Sequence, residues 1–83
     1  MGIELWSFMK DLLETIIRPL VNHPEDISIE ELNQGKTVIL QLKVAPDDMG
    51  KVIGKQGRRA QAIRSVMKAL AARQGKRVVV DIG

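Results

Sequence analysis

Val38, Leu40, Leu42 and Val44 stand two residues apart, with Ile39, Gln41 and Lys43 between them. Successive side chains of an extended chain point to opposite sides, so this spacing specifies a strand with one apolar face. Upstream, Ile27-Ser28-Ile29-Glu30 alternates more briefly and reads as a second strand. Asn33-Gln34-Gly35 lies between them and supplies turn chemistry, so the two strands are expected to form a hairpin. Leu32 is out of phase with Ile27 and Ile29, which predicts a bulge or a strand end near Glu30.

The segments on either side change period. Over residues 4–21, Leu5, Met9, Leu12, Leu13, Ile16 and Leu20 form one helical stripe, with Trp6, Phe8 and Ile17 beside it. Pro19 should end that helix near Arg18, because it lacks a backbone donor. His23-Pro24 continues as a loop. Pro46 followed by Asp47 and Asp48 is a helix-start signal. That helix must be short, since Gly54 and Gly57 interrupt it. A longer one is expected from Gly57 to Arg73, with Ala60, Ile63, Met67 and Leu70 inward, supported by Val66 and Ala71. Gln74-Gly75 closes it. Val78-Val79-Val80-Asp81-Ile82 is a β-branched run, read as a strand partly covered on both faces.

The order is α-β-β-α-α-β. Two helices between the second and third strands allow a parallel, right-handed crossover. The expected fold class is α+β: a three-stranded mixed sheet with helices packed on one face. At 83 residues the chain is read as a single domain, 1–83. It shows no internal repeat or low-complexity segment.

Composition removes several classes of function. There is no cysteine, so disulfides, thiolate metal sites and a cysteine nucleophile are excluded. His23 is the single histidine, and it has no second polar group in sequence to orient it as a base. No apolar run approaches the ~20 residues of a membrane span. The acidic start of the chain argues against a secretion signal. No cofactor or metal is expected, and the chain is not read as an enzyme.

Charge is divided unevenly along the chain. Residues 1–48 hold nine acidic and four basic side chains, a net of −5. Residues 49–83 hold nine basic side chains (Lys51, Lys55, Arg58, Arg59, Arg64, Lys68, Arg73, Lys76 and Arg77) against Asp81 alone, a net of +8. A half this basic suits a polyanion, most commonly nucleic acid; a solvated cationic surface is the alternative.

Within the basic half, Gly54 and Gly57 bracket Lys55-Gln56 at the junction of two helices. Glycine lets another backbone approach closely. The helix that follows offers free N–H groups and a partial positive charge to a phosphate. Lys55, Arg58 and Arg59 add full charges at the same place, and Arg64 and Lys68 extend them along the helix. A sugar-phosphate backbone suits this better than a single metabolite. The plain alternative is a tight helix–helix turn without a ligand. The loop lacks the Walker pattern, because Gln56 follows Gly54-Lys55 where Ser or Thr is required.

Val52-Ile53-Gly54-Lys55-Gln56-Gly57-Arg58, taken with the element order, resembles a type II KH domain. The resemblance to small bacterial KH-domain proteins extends over essentially the whole chain. It includes Pro19 to Glu25, Val44 to Arg58 and Ala62-Ile63-Arg64. It implies binding of single-stranded RNA, with the GxxG loop clamping about four nucleotides by their backbone. Gly54, Lys55, Gln56 and Gly57 would hold phosphates. Val52 and Ile53 would form an apolar floor under the bases, and Val78 to Val80 would face base edges. Lys51, Arg58, Arg59 and Arg64 complete the implied RNA-binding set. Arg73 to Arg77 would be the variable loop bordering the groove. The resemblance further implies a cytoplasmic protein of RNA metabolism, including RNA chaperone activity. It also implies a homodimer, or a heterodimer with a larger KH-containing partner linked to cell elongation, division and cell shape.

Three other readings stand beside these. Trp6 and Phe8, the only aromatics, are expected in the core or at an apolar dimer contact. Asp47 and Asp48 are expected to serve the helix start and no paired-carboxylate chemistry. A module whose essential role is dimerisation or protein contact, with RNA incidental, is the rival reading of the whole.

Overall fold

A computed structural model describes the backbone over residues 2–82 and the side chains over residues 9–82. The readings made for Leu5, Trp6 and Phe8 concern side chains outside the described residues. The elements run α1 (Gly2–Ile17), β1 (Ser28–Gln34), β2 (Thr37–Lys43), α2 (Met49–Ile53), α3 (Arg58–Arg73) and β3 (Arg77–Ile82). Single 3-10 turns lie at Arg18–Leu20, Pro24–Asp26, Pro46–Asp48 and Lys55–Gly57. The order is α-β-β-α-α-β, as the periodicities predict.

The sheet order is β1-β2-β3, with β1 antiparallel and β3 parallel to β2. β2 is therefore central. Its Val38, Leu40 and Leu42 are almost completely excluded from water. They meet Leu13 and Ile17 of α1, Ile63 and Met67 of α3, and Val78 and Val80 of β3 in one core. Each such side chain contributes about 1.5–3 kcal/mol relative to leaving it exposed. Helices cover this face only, so the expected α+β fold with helices on one side is the one observed.

Several local expectations need correction. β1 carries no bulge: Ser28↔Lys43 through Gln34↔Thr37 pair in unbroken register. Leu32 is out of phase because it lies on the open face, 42% exposed. The turn is Gly35-Lys36, a two-residue connection that pulls β1 to its full length. Val79 is 45% exposed, so β3 is covered on one side, where Val78 and Val80 lie. Its β-branched run reflects strand propensity and no second covering layer. Leu32, Ile39 and Val79 thus form an apolar row across the outer face. On α3, Ala60, Ile63, Met67 and Ala71 are buried, but Val66 is 48% exposed and takes no part in the core.

The helix ends follow their expected chemistry. α1 stops at Ile17, and Arg18-Pro19-Leu20 tighten into a 3-10 turn at the proline. At the end of α3, Lys76 N–H bonds the Ala71 carbonyl and Gly75 N–H bonds the Ala72 carbonyl, with Gly75 left-handed. This Schellman closure turns the chain straight into β3.

Candidate nucleic-acid interface

The loop between α2 and α3 has a backbone that only its own residues allow. Gly54 sits at φ 74°, ψ −179°, a region open essentially to glycine. A Cβ added there would come within 2.6 Å of the Arg59 Cβ. Gly54 is therefore required both by its dihedrals and by the close approach of α3. Gln56 and Gly57 follow in left-handed conformations, and nothing crowds the Gly57 position. Gly54 N–H bonds the Gly50 carbonyl and Gly57 N–H bonds the Gly54 carbonyl, which closes the turn.

The electrostatics of the turn are unfavourable for folding. No acidic residue lies in the first turn of α3, and no side chain caps it. Arg58 and Arg59 instead stand at the positive end of its dipole, where cations are disfavoured by about 0.3–1 kcal/mol each. An anion at this place removes that cost.

The sequence-derived set divides into groups here. Ile53, Lys55, Gln56 and Arg58 are exposed, with Gly54 and Gly57 half-buried between them. Lys51 approaches the Asp48 carboxylate at 3.8 Å. Arg59 donates to the Lys51 carbonyl, bracing α3 against the end of α2. Val52 must be corrected: it is fully buried in the hydrophobic core and is no floor for a base. Its neighbour Ile53, 37% exposed, is the apolar surface at the loop. Arg64 lies one and a half turns further along α3.

From the loop, one face of α3 runs beside the free edge of β3. Gln61, Arg64, Ser65 and Lys68 repeat at 3, 1 and 3 along that face. Together with Arg77 and the Val78–Val80 backbone they line a cleft of about 650 Å³. The sequence reading extends the charges to Lys68 and puts Arg77 in the loop bordering the groove, but it leaves out Gln61 and Ser65. The signal was available as a polar helical stripe in register with Arg58. From Arg58 to Lys68 the helix rises about 15 Å, so loop and cleft form one continuous track. Among the described residues, no ion pair engages Lys55, Arg58, Lys68 or Arg77. Arg64 Nε donates to the Val80 carbonyl at 3.2 Å, tying helix to strand at the middle of the cleft.

Behind the loop, Asp48 is completely buried. Its two oxygens accept Asn22 N–H at 3.0 Å and His23 N–H at 2.9 Å. The Asn22 bond is the main reason its carboxyl is held below the ordinary carboxylate range. Burial opposes the shift, while the His23 bond and the charges of His23 and Lys51 reinforce it. The helix-start reading of Asp48 is thus incomplete. Its side chain makes no cap bond and instead pins α2 to the segment after α1.

A short helix, a GxxG turn and a longer helix, set between parallel strands of an α-β-β-α-α-β sheet, are the parts of a KH module in its type II order. The sequence model of the family described as KhpA/KhpB, KH domain matches residues 10–82. The chain belongs to that family. It is 58% identical over 74 residues to a Clostridium acetobutylicum protein named RNA-binding protein KhpA, covering 89% of this chain and 99% of that one. Proteins of the same name from Clostridium perfringens and Aquifex aeolicus are 55% and 42% identical. Those matches cover 89% and 92% of this chain, and 99% and 96% of the relatives. No solved structure matches it. No helix among the described residues is long and apolar enough to cross a membrane.

Proposed function

We propose that this chain is a one-domain, non-catalytic module that binds single-stranded RNA. The exposed GxxG turn clamps the backbone, and the α3–β3 cleft receives the bases. The observation that carries the reading is the continuity of the two. Cations that form no ion pair among the described residues line a track that starts at a glycine turn and ends beside a free strand edge. Lys55, Gln56, Gly57 and Arg58 meet phosphates, with Gly54 setting the turn. Ile53 gives an apolar contact, and Arg64 stands among the bases. Lys51 and Arg59 act by holding the loop. The relatives' printed name, RNA-binding protein, agrees with this.

Titration of a fluorescent single-stranded octamer tests it. Replacing Lys55 and Gln56 together by Asp is expected to weaken binding at least a hundredfold with melting unchanged, because both side chains are exposed. In the parent, log affinity is expected to fall with log salt at about −0.7 per neutralised phosphate. Equal binding by the doubly acidic protein removes the loop from the site.

A second reading is favoured by the outer face of the sheet, where Leu32 and Val79 flank Ile39 in an apolar row. On this reading the module also pairs, with itself or with the larger KH-containing partner. Its place is then in cytoplasmic RNA metabolism tied to cell elongation and division. Light scattering across concentrations tests self-association, and Leu32→Lys is expected to weaken it while leaving RNA binding intact.

A further inference from the structure

Arg77 N–H bonds the Lys36 carbonyl across to the start of β2. In a parallel ladder alternate residues face the neighbouring strand. Arg77, Val79 and Asp81 therefore use their backbone groups inward, and Val78 and Val80 present theirs to the cleft. A strand residue facing outward offers one N–H and one C=O. That pair matches a base with an acceptor beside an amino group, as in adenine or cytosine, read on an exposed edge. At Val80 the match is weakened, because one of the two lone pairs of its carbonyl already accepts the Arg64 Nε–H at 3.2 Å.

We propose that Arg64 sets the base preference of the cleft, turning the Val80 position from amino bases to keto bases. With the carbonyl shared, the incoming base meets chiefly the Val80 N–H and the remaining guanidinium donors. Arginine has five N–H donors and no acceptor, and Nε accounts for one. No other bond engages the Arg64 side chain among the described residues. An edge made of donors selects bases rich in acceptors: uracil through its carbonyls, guanine through O6 and N7. An exocyclic amino group of adenine or cytosine would have to share the Val80 carbonyl with the guanidinium, beside its other donors. This inference rests on the RNA-binding reading above and names the selectivity of the same site.

Labelled octamers of U, of A and of C, compared at one salt concentration, test the inference. The parent is expected to bind U about tenfold more tightly than A, with C, which keeps O2 and N3 as acceptors, between them. Arg64→Met keeps the apolar stem, removes the fork and frees the Val80 carbonyl. It is expected to erase or reverse that order, while Arg64→Lys keeps the charge and only weakens it. A single inosine moved along the A octamer needs no variant. Exchanging one amino group for a carbonyl is expected to raise parent affinity at one position, again by about tenfold. Unchanged ratios in Arg64→Met, or a flat inosine scan, overturn the inference while leaving RNA binding standing. A parent that binds no octamer overturns both.

Discussion

Six residues separate Asp48 from Lys55, and their charges are used in opposite ways. Asp48 is withdrawn from water and spends both oxygens on backbone N–H groups 25 and 26 residues away. Lys55 is exposed and forms no ion pair among the described residues. The same contrast separates the anchor before α2 from the loop after it. A charge already satisfied inside the molecule stabilises the fold. A cation with no ion pair among the described residues, at a costly place such as the start of α3, does not stabilise the fold and suits an incoming anion. Surface charge alone teaches little, since solvated cations are common. Its combination with a glycine-only turn and an adjoining cleft separates the two uses.

The contrast can be broken most forcefully at the glycines. Gly54→Ala is expected to cost about 3 kcal/mol, because strained dihedrals and a close Arg59 contact add together. Gly57→Ala should cost only about 1 kcal/mol, the left-handed penalty alone. Chemical denaturation reads both, and equal costs would remove the distinction between a glycine that α3 crowds and one whose Cβ position is open.

Asp48→Asn comes next. It keeps the shape but sets an amide against two N–H donors, and the melting temperature is expected to fall by on the order of 10 °C. The wild-type contribution also has a definite pH sign. The folded carboxyl titrates below its unfolded value of about 3.9, so its stabilisation is complete above that value and is lost as pH falls through the folded one. Melting curves between neutral and strongly acidic pH should therefore be flatter for Asp48→Asn at the acid end. A parallel loss in both proteins would show that the anchor is not the acid-sensitive element.

The smallest effect is expected at Arg58. Arg58→Ala should lower RNA affinity a few-fold and reduce the salt slope by about 0.7, one phosphate's share. Because that cation opposes the helix dipole, melting should stay level or rise slightly. A clear fall in melting would mean that Arg58 belongs with Asp48 and not with Lys55.

The parts of this molecule governed by local rules were legible from sequence. Alternation found β2, the 3.6-residue period found α1 and α3, and the glycine spacing with its cations found the loop. What was missed depends on distant partners. Nothing next to Asp48 announces that Asn22 and His23 will arrive with unpaired donors. Val52 and Ile53 are adjacent apolar residues, and only the way α2 seats on the core sends one inward and the other out. Leu32 looked like a defect of phase because one apolar face was assumed, whereas the open face carries a row of its own. The cleft was half visible: Arg64 was singled out for its charge, while Gln61 and Ser65 carry none and were passed over.

The bond from Arg59 back to the Lys51 carbonyl has a kinetic consequence. It joins the two helices across the turn within the chain itself, so on the proposed RNA-binding reading the loop is set in advance and binding would cost little ordering entropy. Encounter should then be fast, governed by collision and ionic attraction. Discrimination between one sequence and another should appear in how long each stays.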